Sequence, residues 1–197
     1  MSQDGVNVGR RRFLIAATSV VGAVGAVGVA IPFIKYWNPS AKAKAAGAPV
    51  KVNISKLAPG QQVIVEWQGK PVFVLRRSQE ILDNARKLES KLRDVGSQES
   101  EQPSYAQNEF RAIREDILVL VGLCTHLGCS PKFVPEVKPM DFDPDWMGGY
   151  YCPCHGSKYD LAGRVYLGVP APTNMLVPPY LFQGDDILIV GVDEEAS

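Results

Sequence analysis

Hydrophobic residues keep different rhythms in different parts of this chain. From Phe13 to Ile34 the sequence runs 22 residues without a charge. As a helix that run is about 33 Å long, enough to cross the hydrocarbon core of a bilayer. The spacing predicts one membrane-spanning helix over 13–35, behind a polar lead of residues 1–12. Residues 36–50 then form a linker, and its core, NPSAKAKAAGAPV, has the Ala, Gly and Pro content of a spacer. Stretched out, those thirteen residues reach about 43–47 Å, so the linker also reads as a hinge for a tethered domain over 51–197.

Beyond the linker the runs become short. Val63–Trp67 and Val72–Arg76 are β-rich and split by Gln68-Gly69-Lys70-Pro71, which reads as a hairpin. Helical spacing follows, with Ile81, Leu82, Ala85, Leu88, Leu92 and Val95 on one face, Ser78 as a cap and Gly96 as a stop. Residues 97–109 are polar and read as loop. Ile117–Val121 is an apolar strand, and 130–151, rich in Pro, Asp and Gly, reads as an irregular insertion. Leu181–Gln183 and Ile187–Val192 flank Gly184-Asp185-Asp186, a second hairpin signal. The fold class expected is mainly β: an antiparallel domain with one inserted helix, preceded by a single N-terminal transmembrane helix.

Charge excludes one class of partner. Lys+Arg and Asp+Glu balance at 21 each, so no bulk field draws the chain to nucleic acid. Locally, Arg10-Arg11-Arg12-Phe13-Leu14 resembles a twin-arginine export signal, placed directly before the apolar run. The alternative is a plain basic flank of a membrane helix. Ala41-Lys42-Ala43 and Ala46-Gly47-Ala48 offer small-x-small cleavage sites, but the length of the apolar run favours a retained anchor. Lys35, Lys42 and Lys44 follow the span, so basic residues do not orient it; the export signal places 51–197 outside the cytoplasm. Within the span, Gly22, Ala26 and Ala30 recur every fourth residue, a stripe suited to another membrane helix or simply to low hydrophobicity.

The candidate chemistry sits in two short segments. Residues 124–129 read CTHLGC and 152–157 read CPCHGS; they hold all 4 cysteines and both of the 2 histidines. A loop tip carrying Cys and His two or three residues apart presents both to one small object, and two facing tips supply four ligands. If Cys124 and Cys152 bind one iron and His126 and His155 the other, two ferric ions, two sulfides and two thiolates sum to zero. Adding an electron to a neutral object costs less than adding it to an anion. Potentials of such centres run from roughly −150 to +300 mV, against about −400 mV for plant-type ferredoxins. An imidazole bound through one nitrogen keeps the other for a proton, so electron and proton uptake become coupled, which suits a hydroquinone. Cys129 and Cys154 could join the loops as a disulfide in an oxidising compartment. In the alternative they are ligands, and Cys124 or Cys152 is spare. Two Cys and two His also suit zinc in a stapled binding module. A mononuclear oxygenase site needs further histidines that the chain lacks.

These segments resemble the Rieske iron–sulfur family, most closely the iron–sulfur subunit of bacterial ubiquinol–cytochrome c oxidoreductase, the cytochrome bc complex. The resemblance implies a Rieske-type β domain with one [2Fe-2S] cluster, Cys124 and Cys152 on the inner iron, and His126 and His155 on the outer. It implies a Cys129–Cys154 disulfide. Ser157 and Tyr159 donate hydrogen bonds to a sulfide and a ligand thiolate, and Leu127 shields the cluster tip. His155 meets the quinol, with His126 as the alternative. Gly168, Pro170 and Pro172 belong to a cluster-covering loop; Val169 departs from the shorter Gly-Pro-Ala-Pro pattern. Implied partners are cytochrome b, a c-type cytochrome, ubiquinol and membrane lipid. The implied location is the bacterial inner membrane, single-pass, with the head in the periplasm and residues 1–12 cytoplasmic. A cluster-loaded domain crosses folded, as twin-arginine substrates do. The small Rieske subunit of arsenite oxidase and a plastoquinol-oxidising relative are the near alternatives.

Overall fold

The computed structural model describes residue 5 and residues 7–192. Parts of the expected n-region (1–4 and 6) and the end of the expected head (193–197) lie outside the described residues. The chain divides into two compact units, Met1–Ala45 and Ala46–Ser197.

In the first unit, helix α1 spans Val8–Tyr36, with Asn7 accepting from the Arg10 amide at 3.1 Å as its cap. Its 29 residues make a rod of about 43 Å. None of its side chains is buried and its apolar residues surround it, which is the pattern of a helix solvated by lipid. Pro32 lies inside it. The linker is not uniformly extended: α2 occupies Ala41–Ala46. Ser40 starts it, taking the Ala43 amide on its hydroxyl at 3.1 Å and the Lys44 amide on its carbonyl at 2.9 Å. Alanine is the best helix former, and two of the intervening residues are lysines.

Among its described residues the second unit holds three antiparallel three-stranded sheets. β1 (Val50–Asn53), β9 (Ile187–Val190) and β8 (Tyr180–Gln183) form one, with β9 central. β2 (Gln62–Trp67), β3 (Lys70–Arg76) and β4 (Ile117–Val121) form the second. The β2–β3 turn is the two residues Gln68-Gly69, shorter than expected, and both have positive φ (52° and 71°) as this tight hairpin turn requires. All five residues of β4 are buried, and Ile117, Leu118, Val119 and Leu120 join Val72, Val74, Leu75 and Leu188 in one core. The third sheet is β5 (Lys132–Val137), β6 (Met147–Cys152) and β7 (Ser157–Tyr159).

Two expectations need correction. The interval 130–151 is not irregular throughout; it contains β5 and β6. Its Pro and Gly residues have places in a sheet: Pro135 lies on the edge strand at a register shift between Val134 and Val137. At Gly149 an added Cβ would run into the Tyr159 carbonyl of β7, so glycine there is a packing requirement. The inserted helix is also shorter than 79–95. α3 spans Gln79–Lys87, with Ser78 accepting from the Ile81 amide at 3.4 Å as expected. After Leu88 the chain leaves the helix and pairs with a distant segment: the Arg93 amide donates to the Val165 carbonyl (3.0 Å) and the Leu167 amide to the Lys91 carbonyl (2.8 Å). Leu88 and Leu92 pack with Trp146 and Tyr166 in a second small core. Gly96 therefore stops no helix.

Candidate metal centre

Two strands deliver the chain to one place. β4 leads into the loop carrying Cys124, His126 and Cys129. β6 ends at Cys152, and the turn with Cys154 and His155 leads into β7. Each loop closes by the same bond: a glycine four residues after the first cysteine donates its amide to that cysteine's carbonyl. Gly128 does so to Cys124 and Gly156 to Cys152, each at 2.9 Å. Both glycines are left-handed, with φ of 81° and 75°. The Cys124 amide also donates to the Cys129 carbonyl at 2.7 Å, which narrows the first loop.

The loops are joined by a disulfide between Cys129 and Cys154, whose Cα atoms are 6.7 Å apart. This closes the alternative in which those two are thiolate ligands. The sulfurs of Cys129, Cys152 and Cys154 lie within 4.8 Å of one another. Two of the three are oxidised, so the trio is not a metal site and only Cys152 offers a thiol. Cys124 and Cys152 are both free and buried. His126 is half-buried and His155 exposed, with ring centroids 4.7 Å apart and planes crossing at 89°. Two thiols thus lie inward and two imidazoles outward on facing loops, the donor set that a two-iron cluster with mixed ligands needs.

The thiols are not equivalent. Burial pushes Cys124 up, but hydrogen bonding from the Tyr159 hydroxyl, the His126 amide, Cys152 and Ser157 overcomes it and holds this thiol below its ordinary value. Cys152 is raised, first by burial and then by its neighbour Cys124, against amides from Cys154 and His155. Of the two thiols, Cys124 is the one that ionises more readily. Burial, with the adjacent Cys124, also raises Tyr159 well above the ordinary phenol range, so its hydroxyl stays protonated and able to donate.

Tyr159 is fully buried, its hydroxyl 3.2 Å from Cys124 Sγ. The Thr125 amide donates to it at 3.0 Å, and Thr125 Oγ1 is 3.1 Å away. Ser157, also buried, accepts the Ala171 amide at 3.1 Å, which ties the loop of Gly168, Pro170 and Pro172 to β7. In that loop Gly168 is left-handed (φ 72°), Pro170 and Pro172 are exposed, and Val169 packs against both cores. Leu127 is 72% exposed at its loop tip rather than packed inward. Sequence reasoning passed over Thr125 and Thr173. Thr125 was signalled by its place between two candidate ligands; nothing local marks Thr173.

Comparisons with known proteins follow this geometry. Residues 49–180 match the model of the Rieske [2Fe-2S] domain, and residues 1–40 match that of the Ubiquitinol-cytochrome C reductase Fe-S subunit TAT signal. The chain is 52% identical over 197 residues to the ubiquinol-cytochrome c reductase iron-sulfur subunit of Allochromatium vinosum, covering 100% of this chain and 95% of that one. It is 42% identical over 191 residues to the subunit of that name in Blastochloris viridis (96% and 97% covered). For Rhodospirillum rubrum the identity is 43% over 192 residues, with 96% of each chain covered.

Proposed function

This chain belongs to the Rieske [2Fe-2S] family, as an iron–sulfur subunit of the ubiquinol–cytochrome c reductase type, and from that premise we propose how its residues take an electron and a proton from ubiquinol. Membership makes it an electron-transfer subunit of a cytochrome bc complex carrying one [2Fe-2S] cluster. Cys124 and Cys152 would hold one iron of the cluster through sulfur, and His126 and His155 the other through nitrogen. When bound there, the cluster supplies a one-electron carrier. His155, the exposed imidazole, accepts a hydrogen bond from a quinol hydroxyl on its free ring nitrogen and keeps the proton. Ser157 and Tyr159 would donate to sulfur there and stabilise the more negative state. The disulfide and the loop through Pro170 and Pro172 hold the two tips together and restrict water. The head works on the periplasmic side of the inner membrane, anchored by 13–35. Swinging on 36–50, it moves between cytochrome b and a c-type cytochrome, to which the electron passes. Enzymatic activity belongs to the assembled complex, with this chain as its quinol-oxidising partner.

The observation that carries the reading is the layering of the site: two free buried thiols beneath two facing imidazoles, one exposed. Its test is a redox titration of the full chain, followed by electron paramagnetic resonance from neutral to alkaline pH. Proton uptake on reduction stabilises the reduced form where protons are abundant, so the potential falls as pH rises. A potential independent of pH over that range removes the imidazole proton from the mechanism.

A further inference from the structure

The bonds that hold Tyr159 beside Cys124 continue well past the loop tips. Thr125 gives its hydroxyl hydrogen to the Thr173 carbonyl, 2.7 Å away. That carbonyl shares a peptide unit with the Asn174 amide, which donates to Ser100 Oγ at 3.2 Å. A peptide unit is planar, so holding its N–H sets the direction of its C=O. Ser100 is itself held: its hydroxyl donates to Asp94 Oδ2 at 2.8 Å. The same carboxylate takes the Gln98 amide at 2.7 Å and the Glu99 amide at 3.1 Å.

The Asn174 side chain braces the other flank. Its Nδ2 donates to the Asp94 carbonyl and to Ser97 Oγ, both at 2.9 Å, and its Oδ1 accepts the Val165 amide at 2.8 Å. Ser97 is fully buried in a left-handed conformation (φ 52°), which persists only where the surroundings over-determine it. Asp94, Ser97 and Asn174 are all buried, and a satisfied buried network of this kind is rigid.

We propose that Ser100 and Asp94, in the segment after α3, are positioning residues for the metal centre. They orient the 173–174 peptide, the peptide fixes the Thr125 hydroxyl, and Thr125 decides where the Tyr159 hydrogen goes. The Tyr159 oxygen already receives the Thr125 amide. Its one hydrogen has two acceptors at nearly equal range, Cys124 Sγ at 3.2 Å and Thr125 Oγ1 at 3.1 Å. Thr125 gives its own hydrogen to Thr173, so toward Tyr159 its oxygen acts only as an acceptor and shares the Tyr159 hydrogen with the sulfur. Once the peptide is free to tilt, Thr125 turns its hydrogen to the Tyr159 oxygen, and the Tyr159 hydrogen goes wholly to the sulfur. The thiolate then gains stabilisation in its more negative state.

This rests on Cys124 as an iron ligand tuned by Tyr159. The experiment compares midpoint potentials of the full, cluster-loaded chain as wild type, Ser100→Ala, Tyr159→Phe and the double variant. Paramagnetic resonance amplitude reports cluster content throughout. Ser100→Ala raises the potential by a fraction of the size of the Tyr159→Phe drop, adds nothing in the Tyr159→Phe background, and leaves cluster content intact. Ser100→Thr, which keeps the hydroxyl, restores the wild-type value. Should Ser100→Ala fail to accumulate, Asp94→Asn, which keeps one acceptor oxygen, gives the same pattern with a smaller shift. An unmoved potential, or an equal shift in both backgrounds, overturns the proposal while leaving the site reading intact. An unmoved potential in Tyr159→Phe itself overturns both.

Discussion

At the scale of single residues, the site is governed by how many donors face one sulfur. Cys124 is buried, so any bond it receives acts in a medium that screens poorly. Tyr159 and Ser157 both lower its proton affinity, and both are fully buried, so water does not replace either hydroxyl. Removing one hydroxyl costs the anionic state about 1 kcal/mol, which for one electron is about 45 mV. Tyr159→Phe and Ser157→Ala each therefore lower the potential by roughly that amount while the cluster stays bound, as protein-film voltammetry will read. Ser157→Ala has a second effect, because it also releases the Ala171 amide and with it the loop carrying Pro170. The four candidate ligands stood out in the sequence because all 4 cysteines and both histidines fall in two short segments. Ser100 and Asp94 were not legible. Their effect passes through one backbone peptide some eighty residues away, and backbone direction leaves no mark on side-chain pattern.

At the scale of elements, local signals succeeded where the structure is local and failed where a distant segment decides. Gln68-Gly69 makes its hairpin by itself, and Ser78 starts α3 by itself. The end of α3 was misread because Leu88 and Leu92 leave the helical face for partners at Trp146 and Tyr166. β5 and β6 were missed because Pro135 and Gly149 suit an edge and a close approach that only the folded sheet supplies. The irregular stretch that does exist, 138–146, is pinned to β7 by Lys158 donating to Asp143 at 2.7 Å. Burial opposes ionisation of Asp143, but Lys158 and the Asp145 amide outweigh it and hold the carboxyl below its ordinary 3.8. A depressed acid contributes stability above its unfolded value, and that stability is lost as pH falls through the folded one. Asp143→Asn is therefore less stable than wild type near neutral pH, by about 1–2 kcal/mol for a mostly buried charged bond. The two proteins converge in stability as pH drops below 3.8. Denaturant titrations at both ends of that range check it, and a constant gap would detach the ion pair from the loop's stability.

At the scale of the whole chain, the two units pose a problem of reach. On the proposed function, a retained membrane helix would fix one end of the chain, while an electron accepted from a quinol would have to be delivered somewhere else. Linker length answers this only if the length is adjustable, and α2 makes it so. Six helical residues span about 9 Å, and the same six extended span about 20 Å, so melting α2 adds about 11 Å of reach. A helix this short is marginal without tertiary support, which keeps the cost of melting small. Gly47 and Pro49 stop it from growing into β1. Replacing both with alanine lets the helix run on toward Val50 and stiffens the tether. Quinol-to-cytochrome turnover of the assembled complex then falls several-fold, while the potential and the resonance spectrum stay as in wild type, since neither substitution touches the metal centre. Turnover that held steady in that variant, with the added helix confirmed by circular dichroism of the isolated subunit, would mean that the head does its work without moving.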